Sequence, residues 1–134
     1  MSPRPELEVR MCALYPDHMN IYADRGNIVF VQRRCEWRGI GFRLSGSGFG
    51  DDLDPAGHDL LYMGGGQDSD QVRVAGDLVE TKAGALSEAV GSGTPMLAVC
   101  GGYQLLGHSY QLADETLPGT GLADLRTVRE PGER

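Results

Sequence analysis

Residues 95–108, Pro-Met-Leu-Ala-Val-Cys-Gly-Gly-Tyr-Gln-Leu-Leu-Gly-His, constrain this chain more than any other stretch. Met96, Leu97, Ala98 and Val99 form a short continuous apolar run, the pattern of a strand covered on both faces by helices. Cys100 stands where the run stops. Gly101 and Gly102 remove Cβ atoms where the backbone must turn tightly and let another group come close, and Leu105 and Leu106 open an apolar helix face. The stretch predicts a strand, a sharp turn and a helix running on to His108, with a cysteine at the elbow. Such a turn projects the thiol, while the start of the next helix offers unpaired N–H groups and a positive dipole end that favour a thiolate. The Gly101 N–H could also donate to an oxyanion, provided a neighbouring loop brings a second donor. On these residues alone the other reading stays open: an inert thiol buried at a strand end, where free cysteine is often found.

The rest of the chain supplies a frame for that elbow. Residues 9–15 read as a first strand, with Cys12 in its apolar run and so in the core. A loop then leads to a helix over Asn27–Trp37, stopped at Gly39 as a C-cap. Cys35 on that helix reads as packing, and Arg33, Arg34 and Arg38 as a solvated face. Ile40, Phe42 and Leu44 alternate with Gly41 and Arg43, the period of a second strand. Residues 45–58, rich in Gly, Asp and Ser, read as a mobile loop, since loops of that length are uncommon unless functional or disordered. Residues 59–63 form a third strand that runs into Gly64-Gly65-Gly66-Gln67-Asp68. This glycine loop has neither the Lys-Ser/Thr of a P-loop nor dinucleotide spacing, so a phosphate cradle is the weaker reading. Residues 69–92 are helical in two pieces and end at Gly91 and Gly93; Pro95 opens the fourth strand. Residues 126–134 read as a frayed polar end.

The order is strand, helix, strand, strand, helix, strand, helix, which indicates one α/β domain with a mainly parallel sheet and flanking helices. The glycine loop and the elbow then follow the carboxyl ends of neighbouring strands, where open α/β sheets bind ligands. Composition narrows the function. The net charge is -7, with seven basic and five acidic side chains before Leu44 and five basic and fourteen acidic after it, which is unlike a nucleic-acid surface. No apolar run approaches a membrane span. Residues 1–9 are polar and proline-bearing, unlike a secretory leader, and three cysteines without Cys-x-x-Cys spacing form neither a disulfide framework nor a zinc site. A cytoplasmic setting is expected.

Cys100-Gly-Gly-Tyr-Gln104 resembles the Cys-x-Gly-x-Gln motif of class I (triad-type) glutamine amidotransferases, and Met63-Gly-Gly-Gly-Gln-Asp68 resembles their oxyanion-loop segment. Residues 15–27, Tyr-Pro-Asp-His-Met-Asn-Ile-Tyr-Ala-Asp-Arg-Gly-Asn, together with residues 98–107, are similar to a narrower branch. That branch comprises the glutaminase subunits of lipid II isoglutaminyl synthases, which are related to the amidotransferase domains of cobyric acid synthases. The resemblance spans residues 9 to about 125. It implies a flavodoxin-like layering and a subunit that hydrolyses L-glutamine and passes ammonia to a Mur-ligase-like (MurT-type) partner. That partner would use ATP and Mg to activate the D-glutamate carboxylate of lipid II, and this chain itself would hold no cofactor and no metal. By motif, Cys100 is implied as nucleophile, Gly65 or Gly66 with Gly101 as oxyanion hole, and Gln104 as a holder of substrate glutamine; a plain polar helix-face residue is the other reading of Gln104. Asp24, Arg25 and Asn27 are placed near the partner or the ammonia exit, or serve as caps and ion pairs.

One departure from the family stands out. The family takes its general base, a histidine, from well beyond the nucleophile. The histidines here are His18, His58 and His108, and none matches that position. With His108 two turns along the elbow helix, its ring would point away from the sulfur. Residues 1–134 thus read as the N-terminal part of a single amidotransferase domain without the part that carries the histidine. Beside the lipid II reading stand a cobyrinate-type amidotransferase, an inactive amidotransferase-like fragment that only binds, and an unrelated cysteine hydrolase or redox sensor.

Overall fold

The computed structural model describes residues 4–20 and 25–132. Strand β1 (Arg4–Leu14), helix α1 (Arg25–Trp37), β2 (Ile40–Ser47), β3 (Leu60–Met63) and β4 (Met96–Ala98) build a four-stranded sheet in the order β2-β1-β3-β4. All of its pairings are parallel, with Met11 opposite both Leu44 and Leu60, and Leu61 opposite Met96. Parallel pairing puts every carboxyl end on one edge, and the strand order reverses between β1 and β3, so a crevice opens there.

The two faces of this sheet are unequal. On one, Cys12, Leu14, Leu61 and Met63 pack against Val74, Leu78, Leu86 and Ala89 of the helical stretch between β3 and β4. On the other, among the described residues, Met11, Ala13 and Tyr62 pack with the partly buried Ile28, Val31, Phe42, Leu60 and Val99. Each fully buried Leu or Met is worth about 1.5–3 kcal/mol, so the first face dominates stability. Helix α1 leaves Phe30 and Trp37 outside, and it ends at Gly39 with φ 66°, as the glycine C-cap predicts.

Between β3 and β4 the helix does come in pieces: α2 (Asp68–Asp77), a π-helical turn (Leu78–Lys82) and α3 (Ala83–Gly91). The wide turn accompanies a side chain that sequence reasoning did not single out. Lys82 is fully buried, and its Nζ donates to the carbonyls of Gly48 (2.7 Å) and Asp51 (2.9 Å) and to Asp77 (3.0 Å), over the ring of Tyr15. This corrects the mobile-loop expectation for residues 45–58. Strand β2 continues to Ser47, Leu53 is buried, and the Gly50 N–H donates to Asp77. The segment folds over a buried ammonium through the carbonyls of Gly48 and Asp51.

Three further expectations are corrected. Strand β4 is not covered on both faces: Leu97, opposite Tyr62 in register and so on the same face, is 41% exposed. Helix α4 is one turn, Gly101–Gln104, and does not reach His108: Leu105 and Leu106 are buried, but the chain turns away at Gly107, which packs on Leu125 too closely for a Cβ. The residues beyond form a second sheet. Strands β5 (Ser109–Leu112) and β6 (Glu115–Pro118) pair antiparallel, and β7 (Arg126–Thr127) pairs parallel with β5, where a frayed end was expected. Residues 1–3, 21–24 and 133–134, including Ile21, Tyr22 and Asp24, lie outside the described residues. No helix among the described residues is long and apolar enough to cross a membrane.

Candidate active site

Cys100 follows β4 with φ 55° and ψ -123°, a conformation that costs an L-residue about 1–3 kcal/mol and persists only where the surroundings impose it. Here they do. The Val99 N–H is tied to the Met63 carbonyl (2.9 Å), the Gly102 N–H to Val99 (3.0 Å), and the Gln104 N–H to the Cys100 carbonyl (3.1 Å). The thiol is left exposed, whereas Cys12 and Cys35 are buried. Burial pushes both of those thiols up, against a hydrogen bond from Ser45 and the charge of Lys82 for Cys12 and the charge of Arg38 for Cys35. Because α4 is a single turn, it lacks the summed dipole of a long helix.

Both elbow glycines are needed for close approach. A Cβ on Gly102 would stand 2.5 Å from the Met63 carbonyl oxygen and 2.7 Å from that of Gly64; one on Gly101 would stand 2.6 Å from Oε1 of Gln71. The elbow is therefore wedged against the loop that follows β3. That loop is buried through Gly64, Gly65 and Gly66, and Gly66 abuts Met19 and the His18 carbonyl of the loop after β1. Three strand ends meet at one point.

A cavity of about 380 Å³ opens there, lined by Gly66, Asp68, Gln71, Cys100, Tyr110, Leu112, Ala113 and Arg129. Its size suits a small molecule. Of the residues expected from the sequence, Cys100, Gly66 and Gly101 come together. Gly65 is next in the same loop, and Gln104 ends α4 and lines an adjoining cavity with Tyr110 and Arg129. Asn27 donates to the Tyr62 hydroxyl (3.1 Å), a packing role on the sheet's thinner face.

Gln71, Tyr110 and Arg129 were missed. Gln71 sits on α2, and the other two arrive with the second sheet, whose alternating Ser-Tyr-Gln-Leu is the only sequence signal for it. Burial, then the charges of Asp68 and Cys100, push the Tyr110 phenol up, so it stays a donor. None of the three histidines lines the cavity. His18 stacks edge-on against Phe49, and His108 pairs with Asp124 at 2.8 Å on an exposed surface.

A parallel sheet flanked by helices, with a strained cysteine elbow set against a glycine loop, places the chain in the α/β class. Residues 10–134 match the CobB/CobQ-like glutamine amidotransferase domain, and the chain belongs to that family. It is 35% identical over 112 residues to a protein of Staphylococcus aureus and 30% identical over 128 residues to one of Streptococcus pneumoniae. Both of those proteins are the GatD subunit of a glutamine-hydrolysing lipid II isoglutaminyl synthase. The matches cover 83% and 95% of this chain but 46% and 49% of the relatives, so the chain spans about half the length of the relatives it matches. Family membership removes the reading as an unrelated cysteine hydrolase or redox sensor.

Proposed function

We propose that this chain carries the nucleophile half of a glutaminase site that feeds ammonia to lipid II amidation. The observation that carries the reading is the exposed Cys100 held in a strained elbow and wedged on the Gly64–Gly66 loop at the mouth of a small-molecule cavity. The Cys100 thiolate attacks the γ-carboxamide carbon of L-glutamine. A C–S bond forms, and the carbonyl π pair moves to oxygen, where the Gly101 N–H and one from Gly65 or Gly66 receive it. The tetrahedral centre collapses, the C–N bond breaks, and the nitrogen leaves as ammonia with an added proton. Water then cleaves the thioester to glutamate and restores the thiol. Asp68 and Arg129 give the cavity wall the two charges that an amino-acid zwitterion complements, and Gln104 borders the substrate from the adjoining cavity.

Proton transfer is the step this chain serves least. A positioned acid–base group contributes about 10²–10⁴-fold, and His18, His58 and His108 all lie off the cavity. The base is proposed to be a histidine outside residues 1–134, so that the chain by itself is slow. The naming of both relatives as one subunit of a synthase supports a partner subunit; that partner is proposed to be Mur-ligase-like (MurT-type), using ATP and Mg, in a cytoplasmic heterodimer. The naming also favours lipid II over a corrinoid as the amidated acceptor. Ammonia release from glutamine by this chain, by its Cys100→Ala variant and by a full-length relative tests the reading. The expected order is full-length far above this chain, with Cys100→Ala at background. A rate equal to the full-length protein's, abolished by Cys100→Ala, would show that one of the three histidines is the base.

A further inference from the structure

The geometry points to Gln71 as a positioning residue that holds the Gly64–Gly66 loop and the Cys100–Gly102 turn at the spacing an oxyanion needs; this rests on the glutaminase reading above. Gln71 is 5% exposed, on the first turn of α2. Its Nε2 donates to the Gly66 carbonyl at 2.8 Å, which fixes the plane of the Gly66–Gln67 peptide. The same amide lies flat against the elbow: Oε1, Cδ and Nε2 stand 2.6, 2.8 and 3.1 Å from where a Cβ of Gly101 would be. One side chain therefore touches both loops expected to donate to the oxyanion, and it also lines the Cys100 cavity.

Oε1 is buried and has no hydrogen-bond partner among the described residues. Native folds rarely leave a buried acceptor unpaired, and such groups concentrate where function imposes them. With Nε2 committed to Gly66 the amide cannot turn over to relieve it. An apolar side chain of similar length would fill the space without that cost, so the amide serves the two loops rather than the core. If the loops drift apart or together by a fraction of an ångström, two N–H donors no longer meet one oxygen.

Two labelling rates at Cys100, read on the full chain, separate this role from a merely structural one. The first is with 6-diazo-5-oxo-L-norleucine, a glutamine-shaped diazoketone whose carbonyl must enter the oxyanion site. The second is with iodoacetamide, which alkylates the sulfur and needs no such site. Gln71→Met is expected to slow the diazoketone about tenfold or more and leave iodoacetamide within about twofold. Gln71→Glu keeps the length but loses the donor to Gly66, and it should show the same selective loss, which covers a Gln71→Met that does not fold. Gly101→Ala should harm wild type more than it harms Gln71→Ala, where room for the methyl exists. Equal diazoketone rates, a proportional fall with both reagents, or additive effects of the Gly101 and Gln71 changes would overturn the inference. If wild type itself takes up the diazoketone no faster in the absence of L-glutamine than in its presence, the glutaminase reading has failed and this role falls with it.

Discussion

Lys82 and Gln71 are buried polar side chains on the same helical stretch, and they end in opposite states. Lys82 is saturated: two loop carbonyls, one carboxylate and one aromatic face surround its ammonium, and Asp77 in turn accepts from the Tyr15 hydroxyl at 2.6 Å and the Gly50 N–H at 2.9 Å. Gln71 is half satisfied, and it borders a residue with strained φ. A complete network stores no cost that a ligand could relieve, so the Lys82 cluster is scaffolding. An incomplete one beside backbone strain marks the working end.

The contrast can be broken first at Lys82. Lys82→Ala should lower the unfolding free energy by about 3 kcal/mol, because it removes the cation from a partly buried carboxylate and frees the 48–52 segment. Alkylation of Cys100 in the folded remainder should barely change. Urea unfolding checks this, and a loss below about 1 kcal/mol would mean the cluster is wetter than its burial implies. Gly102→Ala should cost about 1–3 kcal/mol through its collision with the Met63 and Gly64 carbonyls. Unlike Lys82→Ala, it should also lose diazoketone labelling at Cys100.

Smaller still, Tyr15→Phe should cost about 1–2 kcal/mol by removing the phenol from Asp77. The same cluster sets an acid limit. Burial pushes the Asp77 carboxyl up, but the Tyr15 hydroxyl, the Gly50 N–H and the Lys82 ammonium outweigh it and hold it below its ordinary value of 3.8. A depressed folded pKa contributes stability above the unfolded value, and that contribution is lost as pH falls below about 4 toward the folded pKa. Urea midpoints read from pH 6 down to pH 3 should fall, and Tyr15→Phe should flatten the fall. The exposed Arg10–Asp59 pair makes the smallest contribution. Asp59→Asn should shift the urea midpoint by no more than its error, and salt should erase even that.

The sheet and elbow were legible because they are local. A four-residue apolar run, a cysteine and two glycines specify strand, turn and close approach with little help from distant residues, and Gly39 and Gly93 punctuate helices in the same way. The Lys82 clamp was hidden because its partners are backbone carbonyls of Gly48 and Asp51, which look like any loop in sequence. His108 was misplaced because helix propensity was carried through Leu105 and Leu106, whereas burial of those two side chains and the tight contact of Gly107 with Leu125 turn the chain into a hairpin. Gln71 had no signal of its own. One polar residue on an amphipathic helix gains its meaning only when the glycine loop folds back over it.

Whether Cys100 is the glutamine nucleophile can be read from limited alkylation and peptide mapping, with and without saturating L-glutamine. Cys100 should react fastest, Cys12 and Cys35 slowly because burial keeps their thiols protonated, and glutamine should protect Cys100 alone. Labelling of Cys35 as fast as Cys100, or a Cys100 rate indifferent to glutamine, would contradict the account.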